Sequence, residues 1–414
     1  MIHDDGVAGE QTVELQSTTG VTSSSMPTSL GPKDDMAGGD SVGAVARPAG
    51  LRGFHPGWFG AVMGTAIVGV AASLNPGHLS SLASTTRTLS QVMTIVATGL
   101  AIILFVLYLG RFLLHGDAAL ADLRDPAVGA LYGTLPGGVL VLAATAAAVG
   151  PTWFASSTVR DIVVVLDWVG VPLAFVGSLV FAYLLFMDSA MVPEAVNGSW
   201  FIPPVVNIVV PLVLVPLVPG SSPEMARALL LVSYGFWGMG FVLYLLIMTM
   251  LFQRLVLHAL PHAGLAPSLW IGLSPIEVGA LALLKMAAAG GGVFGSQGPT
   301  IVLVSNLMAT VLWGFGAWWL FAAALLLVHY LRFGPLPYGI GWWGFTFPLG
   351  VYSVATFALA ASWNLDGLQW IATALFVVLV LFWVVVVART LWALRAGEFT
   401  RGPRSASNDQ VPTK

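Results

Sequence analysis

Ten apolar stretches, separated by short polar connections, run from residue 56 to residue 394. A helix needs about 20 such residues to cross the hydrocarbon core of a bilayer, and barrel strands would instead show strict alternation. The pattern therefore predicts an all-α integral membrane protein. The predicted spans lie near residues 56–74, 89–113, 126–149, 162–187, 203–218, 226–251, 275–294, 300–331, 338–361 and 368–394.

The odd spans share an opening that contains a proline. The openings read HPGWFG, DPAVGA, IPPVVN, SPIEVG and GPLPYG, with Pro56, Pro126, Pro203, Pro275 and Pro337. Proline at the first helical position costs no hydrogen bond, so each is predicted to lie at or near the start of a helix. The repeat predicts five helical hairpins.

The two sets of spans differ in composition. Odd spans are rich in Gly and Pro, which allow close approach of helices, whereas even spans are almost purely aliphatic and aromatic. Proline-interrupted backbone is tolerated where protein or a water-filled cavity surrounds it. We therefore expect the odd helices to enclose a pore lined by residues such as Gly64, Pro136, Gly344 and Pro348. Dense helix packing is the alternative interpretation of the small residues.

Composition narrows the class of protein. Of the 414 residues, 57% are hydrophobic and 8% are charged, which excludes a soluble domain. The absence of cysteine excludes disulfides, thiolate metal sites and cysteine nucleophiles. The net charge of −3 gives no indication of a nucleic-acid partner. Lipid and a small solute are the expected partners.

Polar tails flank the predicted spans. We predict a disordered N-terminal tail (1–51), a ten-helix domain (52–395) and a short C-terminal tail (396–414). Arginine near helix ends is retained in the cytoplasm, so both tails are predicted to be cytoplasmic and the protein to lie in the inner (plasma) membrane. The arginines then expected inside are Arg47, Arg52, Arg111, Arg124, Arg254, Arg332, Arg389 and Arg395, against Arg87, Arg160 and Arg227 outside.

A pore of this kind would favour anions. The odd helices would all begin on one side, and their N-termini carry partial positive charge. When the connecting loops are left out, Glu277 is the one carboxylate of the odd spans. The pattern "SPIE" around it predicts a capping box, in which Ser274 is the N-cap and Glu277 is the third residue of the helix. A proton-linked or substrate site is the alternative.

Lys285 is the one lysine within a span. It follows Pro275 by ten residues, about 15 Å of helix, which predicts a position near the midplane and an attraction for anions. The alternatives are that its side chain extends to the membrane surface or pairs with Asp167.

Phe347 also follows an opening proline, Pro337, by ten residues, which predicts the same depth as Lys285. Its ring, beside Pro348 and between glycines, is a candidate plug for the pore, because hydrophobic constrictions gate by excluding water. A core or lipid-facing ring is the alternative.

Five motifs resemble the tellurite-resistance and C4-dicarboxylate transporter family, which includes plant slow-type anion channels and fungal malate and sulfite transporters. They are HPGWFGAVMGTAIVG, GTLPGG, SWFIPPVVNIVVPL, LWIGLSPIEVGALALLKM and WWGFTFPLGVYSVAT, in order on the odd spans. The resemblance covers residues 52–395. It implies a quasi-fivefold ring of hairpins around a central pore, a homotrimer with one pore per subunit, and occlusion of that pore by Phe347.

Transport of a small anion is therefore the expected function, with an inorganic monovalent anion, sulfite or a C4-dicarboxylate as substrate. A proton-coupled carrier or efflux pump for weak acids, sulfite or tellurite is the alternative. A membrane-embedded redox or haem protein is a second class, but the histidines lie in tails, loops and helix ends. His258 and His262 have i,i+4 spacing, but Pro261 between them disfavours a metal site. No cofactor and no enzymatic activity are predicted.

Overall fold

The computed structural model describes residues 50–78, 80–189 and 191–397, and all their regular structure is helical. Most of the two predicted tails, together with His3 and Arg47, therefore lies outside the described residues. Ten helical segments are long and apolar enough to cross a membrane, which confirms the predicted number of spans. Without the short turns at their ends, the main α-helices of these segments are α1 (Phe59–Ser73), α2 (Ala83–Leu114), α3 (Thr134–Val149), α4 (Ser156–Met187), α5 (Ile202–Leu214), α6 (Pro223–Leu257), α7 (Leu273–Gly290), α8 (Gly298–Phe333), α9 (Thr346–Trp363) and α10 (Asp366–Ala396).

Burial separates the odd helices from the even ones. In the most apolar part of each odd span 50% to 89% of the residues are buried, against 22% to 28% in the even spans. The even helices expose large apolar side chains along most of their length, as a lipid-facing surface requires. The odd helices are therefore the inner helices of the domain and the even helices the outer ones.

Contacts between the inner helices form a closed circuit. Helix α1 contacts α3, α3 contacts α5, α5 contacts α7, α7 contacts α9, and α9 contacts α1. Each outer helix packs on the inner helix of its own hairpin and on the next inner helix along the circuit, so that α10 lies against both α9 and α1. Each outer helix therefore covers the junction between two inner helices.

A short lead-in segment precedes each inner helix. These five lead-in segments are Pro56–Trp58, Pro126–Gly133, Gly198–Phe201, Ala263–Ile271 and Ile340–Phe345, formed of 3₁₀-helix or short α-helical turns. Proline is the third residue of four of the five inner helices, at Pro136, Pro204, Pro275 and Pro348. Its ring clashes with a carbonyl of the preceding turn, so the lead-in cannot continue into the inner helix as unbroken α-helix.

The predicted position of the opening prolines is correct for three hairpins and wrong for two. Pro56 and Pro126 are first in their helical turns, and Pro203 is the second residue of α5. Pro275 instead lies inside α7, after a helical lead-in, and Pro337 lies in irregular chain before its lead-in. The structural repeat follows the third-position prolines, because these mark the change from lead-in to inner helix.

The lead-in segments of α5 and α7 meet at Gly198. Its N–H donates to Ser268 Oγ at 3.2 Å. A Cβ at this glycine would collide with the carbonyl oxygen of Ser268, which is backbone and cannot move cheaply. The contact therefore requires glycine.

Gly198→Ala should destabilise the domain by about 1–3 kcal/mol, as overpacking of a close contact does. Gly314→Ala on the exposed face of α8 is the matched control, because nothing lies within 4 Å of its added Cβ. Thermal unfolding in detergent should give a lower Tm for the first variant and an unchanged or higher Tm for the second. Equal Tm values would contradict the contact.

Candidate functional site

One stripe of each inner helix changes from buried to exposed along its length. Its residues recur at intervals of four and three, the spacing of one helix face. They are buried in the N-terminal part and exposed at the C-terminal end. These graded stripes comprise Met63, Ile67, Val70 and Leu74; Gly137, Val141, Ala144 and Ala148; Val205, Val209, Leu212 and Pro216; Glu277, Leu281, Leu284 and Ala288; and Phe347, Val351, Val354, Ala358 and Ala361. Leu74 and Pro216 lie just beyond the ends of α1 and α5.

The graded stripes approach one another where they are buried. A Cβ at Gly137 would lie 3.0 Å from Met63 Sδ and 3.1 Å from Val206 Cγ2, so α1, α3 and α5 converge there. A Cβ at Gly350 would lie 2.5 Å from Ile67 Cγ2, which brings α9 against α1. The inner helices therefore meet at their N-terminal halves, and their stripes become exposed at the opposite ends.

Phe347 is the second residue of α9 and heads its graded stripe. The ring is buried and belongs to the main hydrophobic core. The residues that precede the third-position proline on α3, α5 and α7 are Leu135, Pro203 and Ser274, so α9 carries the largest side chain at this level. Whether this ring gates a pore stays a prediction.

Arg389 on α10 anchors the lead-in of α9. Its guanidinium carbon lies 5.8 Å from the ring centroid of Tyr338, 5.6 Å from that of Trp342 and 5.2 Å from that of Trp392. The Tyr338 hydroxyl donates to Thr390 Oγ1 at 2.7 Å. Cation–π contacts of this kind hold the chain that leads to Phe347 against an outer helix.

The other predicted lining residues lie at close contacts between helices or in the buried start of a helix. A Cβ at Gly64 on α1 would collide with Thr346 Oγ1 of α9. A Cβ at Gly344 would lie 3.2 Å from the carbonyl oxygen of Pro267, in the lead-in of α7. Pro136 and Pro348 are buried third residues of their helices. Close packing explains the two glycines, and a role in lining a pore stays a prediction for all four.

Lys285 is exposed, beside the graded stripe of α7 and five residues before the helix ends. The prediction of a midplane position, level with Phe347, is wrong, because the span begins twelve residues before Pro275, at Ala263. Lys285 thus lies in the last part of its span and Phe347 in the first part of its own. Within the described residues Lys285 forms no ion pair.

Glu277 does not cap a helix, contrary to the predicted capping box. Ser274 lies inside α7, where Gly272 holds the N-cap position without a side-chain hydrogen bond. The lead-in brings a helical turn up to this point, so no free helix end is present for Glu277 to cap. The carboxyl group is fully buried, and neither oxygen has a hydrogen-bond partner among the described residues.

Asp167 on α4 is the second buried carboxylate without a hydrogen-bond partner in the described parts of the chain. The pairing with Lys285 that the sequence left as an alternative is not formed among the described residues, and neither carboxylate oxygen of Asp167 has a local hydrogen bond there. Sequence reasoning missed this burial because Asp167 lies on an outer helix. Its spacing from Val163 and Gly170, which are both buried, was the available signal.

The histidine pair His258 and His262 lies in the connection between α6 and the lead-in of α7. His258 Nδ1 lies 2.7 Å from a carboxylate oxygen of Glu194, in the connection that follows α4. A backbone hydrogen bond is the main cause that lowers the pKa of Glu194, and His258 contributes. Burial and the charge of Arg254 lower the pKa of His262. His258 therefore links two connecting loops. Clusters of three or more metal-binding side chains are absent from the described residues.

Ten spans, a closed circuit of inner helices and graded stripes define a polytopic helical protein of the channel and transporter class. Residues 53–391 match the family described as voltage-dependent anion channel. The chain belongs to that family, which confirms the resemblance found in the five motifs.

Relatives in this family carry transporter names. An uncharacterised transporter of Methanocaldococcus jannaschii is 30% identical over 85% of this chain and 96% of its own length. A sulfite efflux pump of Trichophyton rubrum is 28% identical over 83% of this chain and 91% of its own. A malic acid transport protein of Schizosaccharomyces pombe is 23% identical over 54% of this chain and 52% of its own. These likenesses support anion transport by a multi-pass membrane protein.

Gly64→Ala should destabilise the contact between α1 and α9 by about 1–3 kcal/mol, because the added Cβ overlaps the Thr346 hydroxyl. Thr346→Ala removes that hydroxyl, so the double variant should lose less than the sum of the two single losses, by about 0.5 kcal/mol or more. Unfolding in detergent measures the cycle. Additive losses would contradict this packing beside Phe347.

Proposed function

We propose that the graded stripes surround a pathway for small anions, closed at its buried end by Phe347. A single observation carries the proposal. On one face of each of the five inner helices, the residues are buried in the N-terminal part and exposed at the C-terminal end. Faces that are buried together at one end and exposed at the other fit a funnel. The closed circuit of inner helices gives that funnel a continuous wall.

The charges of the inner helices favour anions. Glu277 and Lys285 are the charged residues of α1, α3, α5, α7 and α9, and only Lys285 is exposed. A lysine at the wide end of an apolar funnel attracts anions and repels cations. The five lead-in segments begin together at the narrow end, where the unpaired N–H groups of their first residues add partial positive charge.

Sulfite and C4-dicarboxylates such as malate are the proposed substrates, since relatives carry those names. Inorganic monovalent anions also fit, because the exposed charged side chain of the inner helices is a single lysine, Lys285. Nothing in this arrangement performs bond chemistry, so we propose a transporter and not an enzyme.

The proposed location is the plasma membrane, with the N-terminal ends of the inner helices facing the cytoplasm. At that end lie Arg52, Arg111, Arg124, Arg254, Arg332, Arg389 and Arg395, and at the other end lie Arg87, Arg160 and Arg227. Basic residues are retained inside. A homotrimer with one pathway per subunit is the proposed assembly, on the family resemblance.

Proton-coupled carriage is a second candidate function. The observation that favours it is the burial of Glu277 at the head of the graded stripe of α7. A pH gradient imposed on proteoliposomes would then drive net uptake of a non-titrating anion. A passive channel would give uptake that follows the anion gradient and the membrane potential alone.

Phe347→Ala should raise nitrate flux into proteoliposomes by about tenfold or more, because removing about 1.4 kcal/mol from a barrier already gives that factor. Phe345→Ala is the matched control. Its ring packs on Trp270 at 5.4 Å between centroids, so its loss should destabilise the protein without raising flux. Equal flux in wild type and Phe347→Ala would contradict the proposed gate.

Lys285→Met should lower the selectivity for anions over cations, measured as a shift of reversal potential in a nitrate salt gradient. Methionine keeps much of the side-chain length and removes the charge. Arg227→Met, at the same end of the domain but on outer helix α6, should leave the reversal potential unchanged. An equal shift in both variants would show that general surface charge, and not Lys285, sets the selectivity.

A further inference from the structure

Glu277 fills a space that α8 leaves empty. It is the fifth residue of α7 and is fully buried. On α8, Gly316 faces it so closely that a Cβ there would collide with Glu277 Oε1. The carboxyl group thus occupies the volume of an absent side chain on an outer helix.

Three polar groups around this space have no hydrogen-bond partner among the described residues. They are the carboxyl group of Glu277, with both its oxygens, the hydroxyl of Ser274 one turn earlier on α7, and the hydroxyl of Tyr244 on α6. An ionised carboxylate without a partner in such a place is strongly disfavoured. The packing therefore suits the neutral, protonated acid.

The charged neighbours do not offset ionisation. Among the described residues, Tyr244 of α6 and Tyr352 of α9 are titratable side chains close enough to feel a charge on Glu277. α8 contributes Gly316, and α5 has no charged residue. Lys285 lies eight residues further along α7, about 12 Å away along the helix axis. Within the described residues no cation forms an ion pair with Glu277.

Glu277 also belongs to the face of α7 that carries the graded stripe. It precedes Leu281, Leu284 and Ala288 at intervals of four, three and four. It is the fifth residue of its helix and Phe347 is the second of the adjacent inner helix, so the two lie within about one turn of the same level. Its backbone position is therefore on the stripe, although its carboxyl group lies against Gly316 of α8. A rotation of the side chain about its own bonds would turn the carboxyl group away from α8 and toward the next stripe residue, Leu281.

We propose that Glu277 is a proton-binding site that controls passage through the pathway. Protonated, it rests in the space against Gly316 and leaves the stripe uncharged. Ionised, it turns to the stripe, where its negative charge repels anions at the narrow end of the funnel. Anion flux then requires the bound proton. This inference rests on the proposed function.

Nitrate flux into proteoliposomes, measured against pH, tests the proposal, because nitrate keeps one charge throughout the range. Wild-type flux should fall with rising pH, approaching about tenfold per pH unit once Glu277 is mostly ionised. Glu277→Gln should hold the flux of the protonated form at every pH. Asp167→Asn is the matched control, a second buried carboxylate, and should keep the wild-type profile.

Infrared spectra of the same samples give a readout that does not depend on transport. The C=O stretch of a protonated carboxyl should be present in wild type, reduced in Glu277→Gln at the same pH, and lost from wild type over the range in which flux falls. If no variant carried nitrate flux but this infrared band behaved as expected, the proposed anion pathway would be overturned and the proton-binding site would still be supported. An unchanged band in Glu277→Gln, or a pH profile shared by wild type and Glu277→Gln, would overturn the proton site.

Discussion

The structure depends on one constraint: backbone N–H and C=O groups in a bilayer must be hydrogen-bonded within the protein or reach water. Proline at the third position of four inner helices breaks the backbone ladder where lead-in segment meets helix. Such breaks could not face lipid. The outer helices, each continuous along its length even at Pro172 of α4, cover each junction between inner helices and make the broken backbone tolerable.

The same arrangement explains why the inner helices can carry function. Their breaks and glycines bring backbones close together at one end, as at Gly137, where three helices meet. At the other end the small residues of the graded stripes, among them Ala148, Ala288 and Ala361, leave an exposed surface. A wall that is tight at one end and open at the other follows from these residue sizes. In the pathway that we propose, Lys285 at the open end would bias the charge of the solute that enters.

Much of the fold follows from composition alone. Length and hydropathy predict ten spans, and the contrast between Gly/Pro-rich and aliphatic helices predicts which are inner and which are outer. The register of the repeat could not be predicted. SPIE at Ser274 has the pattern of a helix start, yet the lead-in Ala263–Ile271 has already begun the span. For that reason Glu277 and Lys285 both lie elsewhere in their span than the sequence predicted. A local sequence pattern cannot reveal a preceding helical segment, here the lead-in, whose own pattern is weak.

Cysteine accessibility tests the central claim most directly, since the chain has no native cysteine. Ala358→Cys, half-buried on the graded stripe of α9, should react with a membrane-impermeant thiol reagent applied to the outside of cells. Val377→Cys on α10, at a position 52% exposed but predicted to face lipid, should not react. Labelling of Val377→Cys but not Ala358→Cys would contradict a water-filled pathway between the inner helices.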